Sequence, residues 1–63
     1  MNAQQKKLQR LVAKLLKSGY TQTTLAKKVG VGQMTISRWL NNPPEEPKAS
    51  SLLKLESLIE KKE

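Results

Sequence analysis

Apolar residues recur at helical spacing along most of this chain, and the polar positions between them are ordered too. Leu8, Leu11, Val12, Leu15 and Leu16 fall between roughly 20° and 160° on a wheel turning about 100° per residue. On the same wheel Lys6, Lys7, Arg10, Lys14 and Lys17 fall between roughly 240° and 340°. One face is apolar and the opposite face is basic, so the pattern predicts an amphipathic helix over residues 2–18. Gly19 stands where a left-handed residue would end it.

Thr21 can cap a second helix by accepting from an amide of its first turn. Leu25, Ala26 and Val29 supply that helix's buried side, and Gly30 ends it. Only Val31 separates Gly30 from Gly32, so a third helix must begin almost at once, over about 33–41. Asn42-Pro43-Pro44 stops it, because proline lacks the amide and disfavours helix in the residue before it. The stretch NNPPEEPK is expected to be a surface loop. A last helix is expected over 49–61, with Ser50 or Ser51 near its start and Leu52, Leu55, Leu58 and Ile59 facing inward. The expectation is an all-α fold: one compact domain over 1–63, built of four helices, or five, around a leucine-rich core.

Length and charge narrow the function. A chain of 63 residues has little room for an active-site cleft beside its own core. It has no cysteine and no histidine, which excludes disulfides and thiolate metal sites and removes the commonest catalytic base. No cofactor is expected. No apolar run approaches the ~18 residues of a membrane span, so a cytoplasmic protein is the default. The net charge is +7, but residues 1–44 hold eight cations and no acid, whereas the rest holds four lysines and five glutamates. That asymmetry points to a polyanion partner for the first two-thirds, with simple solubility as the plainer account.

The chemistry concentrates in residues 22–41. Two short helices joined by a tight glycine-containing turn make a helix-turn-helix unit. Ala26 is small where the helices would cross, Gly30 stands at the turn, and Ile36 can plug the space between them. The runs TQTTLAKKVGV (21–31), TISRW (35–39) and PKASSLLKLESL (47–58) resemble the Cro/lambda-repressor type (XRE-like) family of DNA-binding proteins. The resemblance covers residues 18–59, most of the chain. It implies a lambda-repressor-like fold and a small phage-style repressor that binds double-stranded DNA as a homodimer on a palindromic operator, with no small-molecule ligand.

On the third helix, Ile36, Trp39 and Leu40 lie in a sector from roughly 300° through 0° to 40°, facing the core. Gln33, Met34, Ser37, Arg38 and Asn41 occupy roughly 60–200°, the outward face. That face holds a single cation. It offers a guanidinium that can fork onto guanine, an amide suited to adenine, a hydroxyl, and an apolar tip for a thymine methyl. Lysines there would attract all DNA alike, whereas hydrogen-bonding groups discriminate.

The resemblance places Gln33, Met34, Ser37 and Arg38 at the family's base-contacting positions. It places Gln22 where a phosphate is gripped, at a helix N-terminus whose free amides favour an anion. Asn41 and Lys48 match further backbone-contacting positions, with Thr23, Thr35 and Asn42 as neighbours. Two residues depart from the family pattern. Gly32 stands where a Ser or Thr often caps the recognition helix. Leu15 and Leu40 stand where several members bury an Arg–Glu pair, and an apolar contact there can be neutral or stabilising.

Plainer roles compete at several positions. Trp39 could stack on a base of a single strand, but its phase with Ile36 makes it a core residue. Tyr20 reads as packing between helices, with a functional role as the alternative. Met34 belongs outside, because filler belongs on the inward side. The basic stripe of the first helix reads as a solvated face, with a direct phosphate grip as the alternative. No carboxylates share a face in the helix-turn-helix, so an enzyme is not expected. Beside the repressor stand two other functions: a DNA-binding antitoxin or interaction module with a partner chain, and a cationic amphipathic membrane binder.

Overall fold

The computed structural model describes residues 2–61, with side chains through Ile59. Within them lie four helices: α1 (Ala3–Lys17), α2 (Gln22–Val29), α3 (Gln33–Asn41) and α4 (Ala49–Lys61). No fifth helix occurs among the described residues. Met1, Lys62 and Glu63 of the expected 1–63 domain lie outside them.

α1 is one residue shorter at each end than its periodicity suggests, because both flanking residues act as caps. Asn2 Oδ1 accepts from the Gln5 amide at 2.8 Å, and Gln5 Oε1 accepts from the Asn2 amide at 2.9 Å. This reciprocal pair satisfies two amides that an isolated helix start leaves bare. At the other end Ser18 is the cap. Gly19, at φ +118°, lets the Tyr20 amide turn back onto the Leu15 carbonyl at 3.2 Å.

Thr21 caps α2 as expected, accepting from the Thr24 amide at 3.1 Å. Gly30 ends that helix in the left-handed region at φ +87°. Such a backbone is open to glycine and strained for other residues. The Val29 carbonyl, left without an intrahelical donor, accepts from Lys54 Nζ at 3.2 Å. A cation at a helix C-terminus is favourable there, and this one ties α4 to α2.

The core joins all four helices. Leu8, Val12 and Leu15 of α1 meet Leu25, Ala26 and Val29 of α2, Ile36 and Trp39 of α3, and Leu55 of α4. Leu11, Leu16, Tyr20, Leu40, Leu52, Leu58 and Ile59 pack around it, half-buried. α1 packs mainly on α3 and α4, and α2 mainly on α3. The radius of gyration is 10.4 Å, close to the ~10.6 Å expected of a folded chain this long. The loop between α3 and α4 lies at the surface as expected, except that Pro43 is buried and Pro47 half-buried.

Candidate nucleic-acid interface

α3 is divided as its periodicity predicts. Ile36 is fully buried and Trp39 is 7% exposed, whereas Met34 on the opposite side is 74% exposed. Gln33, Arg38 and Asn41 are exposed beside Met34, and Ser37 is half-buried at the edge of the same face. Trp39 is therefore a core residue, and the stacking role weighed for it has no exposed ring face to use. Arg38 and Gln33 make no ion pair or side-chain hydrogen bond with a described residue. Their donors point into solvent. A large thioether exposed amid polar groups is unexplained by packing.

Asn41 and Ser37, which the sequence presents as separate groups, are joined. Asn41 Nδ2 donates to the Ser37 carbonyl at 3.0 Å and lies 3.4 Å from Ser37 Oγ. The Asn41 amide nitrogen is thus engaged within its own helix. Its oxygen and the Ser37 hydroxyl proton remain the groups available to a partner.

The backbone-contacting candidates fall in two places. Thr35, Arg38 and Asn42 border one groove along the side of α3, together with Trp39 and Pro44. Thr35 also borders the adjoining groove, whose lining includes Glu46 and Lys48. The fold therefore gathers Thr35, Arg38, Asn42 and Lys48 along one edge of α3. Gln22 and Thr23 occupy the first turn of α2, half-buried and exposed respectively. Thr21 satisfies the Thr24 amide at that end.

At the start of α3, Gly32 has φ −82° and no side-chain cap. Its carbonyl accepts from the Thr35 and Ile36 amides at 3.0 and 3.3 Å. Glycine is not required there, since φ is ordinary and a Cβ would meet nothing within 4 Å.

This is a two-helix unit turned at Gly30, with a buried plug at Ile36 and a polar outer face on its second helix. The helix-turn-helix family model matches residues 11–63. The chain belongs to the Cro/lambda-repressor type (XRE-like) helix-turn-helix family. Membership makes it a DNA-binding transcriptional regulator whose partner is double-stranded DNA, in a family generally without catalysis. Comparison with curated proteins and with solved structures gave no match.

In this helix-turn-helix regulator the basic side chains of α1 are exposed along the helix, opposite its buried face. Among the described residues, Lys7 alone of them is paired, to Glu56 at 2.9 Å. No helix among the described residues is long and apolar enough to cross a membrane. The apolar face of α1 that could lie on a lipid surface is instead closed under α3 and α4.

Sequence reasoning passed over one group. Asn2, the cap of α1, and Gln5 and Gln9 within it donate to the backbone carbonyls of residues 45, 43 and 40 respectively. The available signal was their common edge on the α1 wheel, at roughly 140–200°, where the apolar face ends and before the basic face begins.

Proposed function

We propose that α3 enters the major groove of an operator, with Gln33, Met34, Ser37 and Arg38 at base edges. Gln22, Thr23, Thr35, Asn41, Asn42 and Lys48 flank them on the phosphate backbone. The observation that carries this reading is the two-sidedness of α3: an exposed face with one cation and a 74% exposed Met34, on a helix anchored by fully buried Ile36. Attraction is supplied by the eleven other cations of the chain, and discrimination by groups that can match a base edge.

One such module covers about half a site, so the regulator acts as a homodimer on a palindrome with half-sites about one DNA turn apart. Leu53, 64% exposed on α4, with half-buried Leu58 and Ile59, supplies the contact between copies. Residues 1–63 act as one DNA-binding domain, a Cro-like repressor that works in the cytoplasm by occluding polymerase.

Selection of bound sequences from a random duplex pool at physiological salt tests the reading. The expected result is a preferred site with two-fold symmetry. A pool enriched for no sequence would refute it, and a single asymmetric half-site would refute the homodimer. Lys48→Ala should weaken cognate and random duplexes alike and reduce the salt slope by about one.

A further inference from the structure

Pro43 and Pro44 remove two backbone donors from the end of α3. In a continuing helix the carbonyls of Trp39 and Leu40 would accept from the amides of residues 43 and 44, and proline has none. Asn42, the last amide before them, is already engaged with the Arg38 carbonyl at 2.6 Å. Side chains of α1 take over from there. Gln9 Nε2 donates to the Leu40 carbonyl at 2.6 Å, Gln5 Nε2 to that of Pro43 at 2.9 Å, and Asn2 Nδ2 to that of Glu45 at 3.0 Å. Asn2 and Gln5 use their oxygens for the α1 capping pair, which leaves their NH2 groups aimed at the loop.

We infer that Asn2, Gln5 and Gln9 are positioning residues for DNA binding, holding the end of α3 and the following loop so that Asn42 and Lys48 meet the phosphate backbone. The inference rests on the groove-binding reading above. Two observations separate this role from simple support of the fold. None of the three residues belongs to the buried core, where Leu8, Val12 and Leu15 already dock α1. The carbonyls they hold, at 40, 43 and 45, bracket Asn42 and lead to Lys48. The two bonds made by Gln5 and Gln9 are partly buried, so water competes less for them than for the exposed Asn2 bond.

The test uses the full chain. Gln9→Met, the main variant, keeps side-chain length and deletes the loop donor. Beside it, Gln5→Met also deletes the oxygen that accepts from the Asn2 amide. Affinity is measured over a salt series for the selected duplex and for a random duplex, at a temperature where circular dichroism shows each variant folded. Each should weaken both duplexes by the same factor, about three- to tenfold, the scale of one hydrogen bond. The salt slope should fall by about one, with the selected motif unchanged. Combined with Lys48→Ala, the same substitutions should add less than they cost alone, because one of the two contacts they position is gone. Wild-type affinity and slope in folded variants, or full additivity with Lys48→Ala, would overturn the inference.

Should the methionine variants fail to fold, hydrogen exchange of the wild-type side-chain amides decides. Gln5 and Gln9 Nε2 protons should exchange more slowly than those of exposed Gln4, and equal rates would overturn the ladder. A random pool that yields no site would sink the groove reading and this inference together. A selected site with unaffected methionine variants would sink this inference alone.

Discussion

α1 and α3 are built in opposite ways. α1 runs fifteen residues, opens on a reciprocal capping pair and carries five cations on its outer face. α3 runs nine, starts at an uncapped glycine, ends against two prolines and carries one cation. An isolated helix of that length is marginal in water. α3 therefore owes its existence to what lies behind it, Ile36 and Trp39 in the core. A helix stabilised from behind leaves its outer face open to chemistry. A helix rich in local stabilisers can carry charge, which attracts DNA without choosing among sequences.

Four substitutions probe that contrast. Removing the anchor should do most harm. Ile36→Ala leaves a cavity at a fully buried site and should cost about 2–5 kcal/mol, a large share of a small domain's stability. A thermal melt would register this as a steep fall in Tm, and an unchanged Tm would mean that α3 stands without its core contact. Arg38→Ala should leave the melt nearly unchanged but cost about 1–3 kcal/mol on the cognate duplex. Preference at one guanine-containing position should relax. An equal loss on random DNA would reduce Arg38 to a phosphate contact.

Smaller effects should come from the helix start and from the basic face. Gly32→Ser introduces the missing cap at an ordinary φ with open space around the new Cβ. A gain of about 0.5 kcal/mol in urea unfolding is expected; a loss would show that the start of α3 already has its partners. Lys14→Ala, on the exposed side of α1, should shift stability by less than about 0.5 kcal/mol. It should also leave the ratio of cognate to random affinity untouched. A change in that ratio would bring α1 into the reading surface and erase the contrast between the two helices.

Much of this was legible in the one-dimensional pattern. The limits of α2, α3 and α4 followed from Thr21, Gly30, the two prolines and the leucine spacing of residues 49–61. The division of α3 into Ile36 and Trp39 inside and Met34 outside followed from phase alone. The expected ends of α1 missed because Asn2 and Ser18 are caps, half inside the helix by hydrogen bonding and outside it by dihedral angle. The loop lies at the surface as expected, apart from one ring. Its composition is that of a solvated turn, yet the Pro43 ring is buried and its carbonyl is held by Gln5. At the candidate site, the outward set on α3 was visible in phase, whereas the gathering of Thr35, Asn42 and Lys48 along its edge was not.

The sequence by itself determined where helices form and which side of each turns inward, because caps, glycines, prolines and the 3.6-residue period act over one or two turns. Only the tertiary structure decided which carbonyls Asn2, Gln5, Gln9 and Lys54 would serve, since those partners lie 43, 38, 31 and 25 residues away along the chain. A side-chain amide has no periodicity that names its acceptor. Its partner is set by how the helices cross once the leucines, Ile36 and Trp39 have closed the core.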